Sequence, residues 1–77
     1  MIFLIEYNRS RGEIVTFKTF EDANKDEAAN IRFERELVLN RAGIEHEVVL
    51  LDAASEEALR RTHRRYFEDL NQLVTMP

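Results

Sequence analysis

The sequence contains no cysteine, which excludes disulfide bonds, thiolate nucleophiles and cysteine-ligated zinc. It has only two glycines, so there is no glycine-rich loop to hold a phosphate. The short motifs of serine hydrolases, zinc proteases and P-loop nucleotide-binding proteins are also missing. We therefore predict no catalytic residue, no metal ligand set and no cofactor.

Long hydrophobic runs are missing as well. Met1 leads directly into IFLIEY at 2–7, which is too short and too soon charged for a signal peptide or a membrane span. The pattern favours a cytoplasmic protein without membrane contact.

Positive charge is also in deficit, because 11 Lys and Arg face 15 Asp and Glu, giving a net charge of −4. This balance argues against general nucleic-acid binding, although a local basic patch can override it.

The composition nevertheless favours a folded chain. Hydrophobic residues make up 44% of the 77 residues, too many for a disordered segment even with 34% charged residues. We predict a single domain over 1–77. A chain of this size buries only about 60% of its unfolded surface, so its core is thin and oligomerisation is a natural supplement.

Three segments predict β-strands, at about 2–7, 13–20 and 44–51. The first is apolar on both faces, which is typical of a central strand. The polar stretch NRSRG between the first two ends at Gly12, which suits a hairpin loop with a left-handed residue. Lys18 and the threonines make the second strand half-polar, as expected at a sheet edge.

The first helix is predicted over about 22–42, with Asp22 or Asn24 as its N-cap and Gly43 as its C-cap. At 100° per residue its apolar side chains fall into two sectors. The first sector comprises Ala28, Ile31, Val38, Leu39 and Ala42. The second, roughly opposite, comprises Ala29, Phe33 and Leu37. We expect one of the two sectors on the sheet, and the other needs a different cover, either the second helix or another subunit.

The second helix is predicted over about 55–74, with Ser55 as its N-cap. Its apolar sector comprises Leu59, Thr62, His63, Tyr66, Phe67, Leu70, Leu73 and Val74. Tyr66 and Phe67 are expected in or at the edge of the core, since aromatic side chains at helical spacing are usually buried.

The element order β-β-α-β-α predicts an α+β fold. A right-handed crossover places the third strand beside the first, giving a three-stranded antiparallel sheet of order 2-1-3. We expect a two-layer sandwich with both helices on one face. The opposite face would stay bare and apolar, which favours a homodimer.

A cluster of arginines on the second helix is the most distinctive charged feature, and the hairpin tip offers two more that extend it. These candidate partner-binding residues are Arg60, Arg61, Arg64, Arg65, Arg9 and Arg11. Arginine groups contact phosphates well, and neighbouring aromatic rings stack on unpaired bases. The spacing also predicts ion pairs Glu57–Arg61, Arg64–Glu68 and Arg65–Asp69, with Arg60 lacking such an acid. A salt-bridged surface is the favoured interpretation.

The two histidines, His46 and His63, are candidates for a pH-sensitive packing role because histidine titrates near neutrality. A metal site is disfavoured, since Glu45 and Glu47 point to the strand face opposite His46. Structural histidines on partly apolar faces are the more common case.

Three stretches, LIEYNRSRG, NRAGIEHEVVLLDA and EEALRRTHRRYF, resemble a group of short bacterial proteins to which no activity is assigned. The resemblance extends over nearly the whole chain. It implies a self-contained bacterial cytoplasmic domain and contributes no catalytic residues.

These patterns together predict a homodimeric interaction or regulatory module rather than an enzyme. Phe33 and Leu37 are the candidate dimer contacts. The alternatives are a nucleic-acid-binding protein that uses the arginine face and a structural subunit of a larger complex. An unidentified protein partner is expected in either the first or the last case.

Overall fold

The computed structural model describes residues 1–68, and this part of the chain forms three strands and two α-helices. The strands are β1 Ile2–Asn8, β2 Glu13–Phe20 and β3 His46–Asp52; the helices are α1 Lys25–Ala42 and α2 Glu56–Thr62. Two short 3₁₀ turns, Asp22–Asn24 and Arg64–Tyr66, precede α1 and follow α2. None of the helices in residues 1–68 is long and apolar enough to cross a bilayer.

The sheet has the order β2-β1-β3, and both neighbouring pairs are antiparallel, which confirms the predicted α+β class and strand order. β1 is buried along almost its entire length because it has a strand on each side and a helix on each face. The most apolar strand therefore occupies the centre, as its two apolar faces predicted.

The β1–β2 hairpin closes through Gly12, whose φ of 65° is the predicted left-handed conformation. The Gly12 amide donates to the Asn8 carbonyl oxygen at 2.8 Å. A β-bulge interrupts β2, because Thr16 pairs with Glu6 while Ile14 pairs with Tyr7. The extra residue shifts the alternation, so Ile14 joins the same face as Tyr7.

The two helices lie on opposite faces of the sheet, so the prediction that both cover one face is wrong. Leu59 of α2 packs with Phe3 and Ile5 of β1. Leu39 of α1 packs with Leu4, which points the other way along the same strand. The physical reason is that β1 is apolar on both faces. Each face needs a helix to remove its apolar side chains from water, so the two helices pack on opposite faces.

The sheet therefore has no wholly bare face, and the original reason for predicting a dimer disappears. The homodimer itself stays a prediction. On α1, Ala28 and Leu39 are buried, so the first sector is the one that lies on the sheet, but Val38 of the same sector is 52% exposed. Val38 lies at the edge of that sector, and a helix lying on a narrow sheet shields only the middle of its inner face.

The ends of α1 follow local rules. Gly43 ends the helix with φ 69°, as predicted, and its amide donates to the carbonyl oxygens of Leu39 and Asn40. Asn24 occupies the N-cap position, but its side chain makes no capping hydrogen bond. The first turn instead carries Asp26 and Glu27, which favour the positive end of the helix dipole.

α2 begins at the predicted cap, where the Ser55 hydroxyl oxygen accepts from the Ala58 amide at 3.1 Å. It ends at Thr62 and not near Val74, so the predicted range of about 55–74 is wrong over 63–68. The Thr62 hydroxyl donates to the Ala58 carbonyl, and His63 leaves the helical conformation. The turn that follows brings Tyr66 edge-on to Tyr7, with the ring centroids 5.1 Å apart. Leu70, Leu73 and Val74 lie outside the described residues.

The opposite placement of the helices predicts that α2 contributes strongly to stability despite its two turns. Leu59→Ala removes a side chain with no exposed surface and should lower the free energy of unfolding by about 2–5 kcal/mol. The control Val38→Ala, on half-exposed surface of α1, should change it by about 0.5 kcal/mol or less. Urea unfolding measures both, and equal small effects would contradict the buried role of α2.

Candidate functional site

A charged residue, Glu6, lies in the middle of the central strand and is only 1% exposed. It projects from β1 to the face covered by α1, opposite to its neighbours Ile5 and Tyr7. A buried carboxylate is costly unless it is paired and hydrogen-bonded, so its surroundings must compensate the charge.

Three neighbouring elements supply that compensation. Arg35 of α1 donates from Nε to Oε1 at 2.7 Å and from Nη2 to Oε2 at 3.3 Å. His46 of β3 places Nδ1 2.6 Å from Oε2, and the Thr16 hydroxyl of β2 donates to Oε1 at 3.3 Å. Both carboxylate oxygens of Glu6 are therefore satisfied, and one residue joins every strand to α1.

The protonation state of Glu6 follows from this arrangement. Burial alone would raise the pKa of its carboxyl group, but the hydrogen bonds from Arg35 and His46 and the Arg35 charge together lower it below the ordinary value of 4.5. Glu6 is thus an anion at neutral pH and only accepts hydrogen bonds. Nδ1 of His46 must therefore carry the proton in this contact.

The Glu6 network was missed by the sequence analysis. Its only signal is that Glu6 is the one charged residue in an otherwise apolar strand. The expectation that His46 meets neither Glu45 nor Glu47 rests on alternation along one strand, and Glu47 does lie on the other face. The carboxylate that His46 meets comes from the adjacent strand, and this depends on register, which periodicity within a strand does not reveal.

A second carboxylate, Glu47, organises the opposite face of the sheet. Arg65 donates from Nη2 to both of its oxygens at 2.9 and 3.0 Å, and the Tyr66 hydroxyl donates to Oε1 at 3.0 Å. Arg9 from the hairpin reaches Oε2 at 3.5 Å. The turn after α2 is held against the sheet by these bonds.

The ionisation of this second group is also shifted. Burial raises the pKa of Glu47, while the Tyr66 hydrogen bond and the charges of Arg65 and Arg9 lower it, and the net direction is down. Burial and the Glu47 bond raise the pKa of Tyr66, so it keeps its proton and donates. Arg65 in turn stacks on the Tyr66 ring at 4.4 Å from its centroid.

The structure brings some of the predicted arginines together and separates others. Arg9 and Arg65 converge on Glu47, whereas Arg11 pairs with Glu13 at 3.5 Å on the hairpin. Arg64 pairs with Glu68 at 3.0 Å, as its spacing predicted. Most of the arginine surface is therefore internally neutralised.

One predicted arginine pairing, and the prediction that Arg60 lacks an acid at helical spacing, are wrong. Arg60 does have an acid at helical spacing, because Glu56 lies one turn before it at 3.7 Å, and Arg60 also stacks on the Phe67 ring at 4.4 Å. Arg61 forms no ion pair with Glu57 or with any other residue in the described range. The predicted partner Asp69 lies outside that range.

The histidines do not meet. His46 faces α1, whereas His63 follows α2 on the other face and places Nδ1 2.9 Å from the Thr62 hydroxyl. Within residues 1–68, no group of three or more histidine and carboxylate side chains is arranged to hold a metal ion. The pH-sensitive role of His46 and His63 stays a prediction.

The predicted dimer contacts lie on an uncovered surface. Phe33 is 58% exposed and Leu37 is 38% exposed, on the side of α1 that points away from the sheet. Ala29 is exposed on the same side, one turn before Phe33. We call the surface formed by Ala29, Phe33 and Leu37 the α1 strip.

Acid should weaken the fold through Glu6. Its pKa is lower in the folded state, so its contribution is present above about pH 4.5 and disappears as the pH falls through the folded value. Glu6→Gln should lower the free energy of unfolding by about 2 kcal/mol at neutral pH. The difference should shrink as the pH falls below 4.5, as urea unfolding at several pH values would show.

Glu36→Gln provides the control. Glu36 forms an ion pair with Arg32 on the half-exposed surface of α1, with 2.8 Å between Oε1 and Nη1. Such a pair contributes about 0.5 kcal/mol or less to the free energy of unfolding. The free energy of unfolding of Glu36→Gln should therefore change with pH in the same way as that of the wild type. A Glu6→Gln deficit that stays constant across the whole pH range would contradict an ionised Glu6.

Comparison with protein-family models finds no match to this chain. Comparisons with curated proteins and with solved structures likewise return no significant match. The fold and the contacts described above are therefore the basis for assigning a function.

Proposed function

We propose that this protein is a homodimeric interaction module, without catalysis, that associates through the α1 strip. The observation that carries the proposal is the exposure of Phe33, a large aromatic side chain, in the middle of an 18-residue helix. Aromatic residues with this exposure are typical of protein interfaces, since burying them removes a large apolar area from water.

The strip is suited to a second copy of the same chain. At ~100° per residue, Asp26 and Arg41 fall on the same side of α1 as Phe33 and lie at the two ends of the strip. The two charges are opposite in sign. In an antiparallel pair of α1 helices, Asp26 of each copy approaches Arg41 of the other, and this happens twice by symmetry.

The sizes of the apolar side chains fit the same arrangement. Ala29 and Leu37 are equally distant in sequence from Phe33, so an antiparallel pair centred on Phe33 sets the small Ala29 against the large Leu37 of the second copy. The two Phe33 rings then meet near the twofold axis. A pairing of small with large side chains lets two helices approach closely.

The expected affinity is modest. A single helix pair buries less than the roughly 1,600 Å² of a standard stable interface. We therefore expect reversible association in the micromolar range, suited to a regulatory module whose state depends on concentration. The dimer no longer relies on a bare sheet face, because α2 covers that face.

The alternative, nucleic-acid binding, has less support. Of the six candidate arginines, five lie within ion-pair distance of a carboxylate in the described part of the chain. The whole chain carries a net charge of −4. Phosphate contacts would have to displace these ion pairs, which lowers the electrostatic gain that drives such binding.

Phe33→Glu should abolish the dimer, because it places a charge at the centre of the interface. The control Val38→Glu alters a similarly exposed apolar residue of α1 outside the α1 strip, and it should leave association unchanged. Light scattering coupled to size exclusion, at about 10–500 µM protein, gives the mass of each variant. A wild-type chain that stays monomeric over this range overturns the proposal.

Exchanging the charges tests the antiparallel geometry. Asp26→Arg alone and Arg41→Asp alone should each weaken the dimer several-fold, because like charges then meet at both ends. The double variant restores opposite charges and should recover most of the affinity. If the loss of dimer affinity in the double variant equals the sum of the losses in the two single variants, this pairing is ruled out. Circular dichroism verifies that each variant is folded.

A further inference from the structure

The face of the sheet that α1 covers is only partly closed. α1 packs over β3 and β1, and a cleft of about 240 Å³ remains between α1 and β2. It is lined by Leu4, Glu6, Thr16, Lys18, Ile31 and Arg35.

One wall of the cleft holds a guanidinium group in a defined orientation. Arg35 uses Nε and Nη2 to bind the two oxygens of Glu6, which fixes the plane of its side chain. Nη1 has no acceptor among the described residues, and the Arg35 side chain is 43% exposed. The edge formed by Nη1 and the second hydrogen of Nη2 is therefore free to bind two oxygens of a ligand.

Lys18 brings a second cation to the cleft from β2. It is exposed and forms no ion pair within residues 1–68, although the chain has more acids than bases. Leu4 of β1 and Ile31 of α1 supply the apolar part of the lining, and Thr16 and the ion-paired Glu6 supply the rest. The cleft thus combines two cationic donors with an apolar wall.

We propose that this cleft binds a small organic monocarboxylate. The carboxylate of the ligand lies between the free edge of Arg35 and the ammonium group of Lys18, where it receives charge-assisted hydrogen bonds. Its apolar body packs against Leu4 and Ile31. Glu6 does not contact the ligand, and it acts by positioning Arg35.

Other ligand classes fit this chemistry less well. A cation is repelled by Lys18, and a neutral molecule leaves Lys18 without a counter-charge, whereas Arg35 already has the counter-charge of Glu6. Inorganic phosphate is matched by the cations but leaves the apolar wall unused. A dicarboxylate brings a second negative charge close to the buried Glu6. A single carboxylate on an apolar body uses both parts of the cleft.

The site is independent of the proposed dimer. Ile31 and Arg35 lie on the side of α1 that faces the sheet, whereas Phe33 and Leu37 lie on the opposite side. Ligand binding is therefore expected in the monomer and the dimer alike, and Phe33→Glu should bind the ligand normally.

The test is a titration of the ¹⁵N-labelled full chain followed by two-dimensional NMR. Sodium benzoate is the probe, and benzamide and inorganic phosphate at equal ionic strength are the comparisons. Saturable shifts confined to the amides around Leu4, Thr16 and Ile31 are expected with benzoate. Benzamide and phosphate should bind at least about tenfold more weakly, since each lacks one of the two recognised features.

The two lysines of the chain provide a matched pair of variants. Lys18→Met keeps the apolar stem but removes the charge, and it should weaken benzoate binding about tenfold. Lys25→Met makes the same change at the start of α1 and should bind like the wild type. The proposal is overturned by an absence of saturable shifts, by benzamide or phosphate binding as well as benzoate, or by equal effects of the two variants.

Discussion

The buried Glu6 carboxylate is the interaction on which the arrangement of this small fold most depends. An anion in the central strand is tolerable only while Arg35, His46 and Thr16 donate to it together. These donors come from α1, β3 and β2, so satisfying one charge sets the position of three elements at once. A shift of α1 along the sheet, or a slip of either edge strand, would leave the carboxylate unpaired.

The division of the helices between two faces leaves one side of this small domain only partly covered. Each side of β1 receives one helix, and a single helix is narrower than a three-stranded sheet. On the α1 side, this leaves the cleft beside β2 and the outward strip around Phe33. On the other side, two-turn α2 is extended by the turn bearing Tyr66 and Phe67, which closes the core over Phe17.

Arginine, which supplies four of the six residues at 60–65, has mainly a structural role in the described residues. Arg65 ties the turn after α2 to Glu47, and Arg60 covers the ring of Phe67. These groups are matched by carboxylates and rings close by, so little positive potential is left for a polyanion. We propose that recognition instead uses the α1 strip and the cleft in which Arg35 keeps a free edge.

Local physics accounts for what the sequence by itself determined. The three strands, the left-handed glycines Gly12 and Gly43 and the Ser55 cap depend on neighbours within a few residues, and the apolar β1 had to be central. The structure alone decided which face each helix covers, that α2 stops at Thr62, and that Glu6 meets His46. These features depend on strand register and on packing between segments that are distant in the sequence. Several packing arrangements satisfy the same hydrophobic periodicity, and a buried charge or aromatic ring selects one of them.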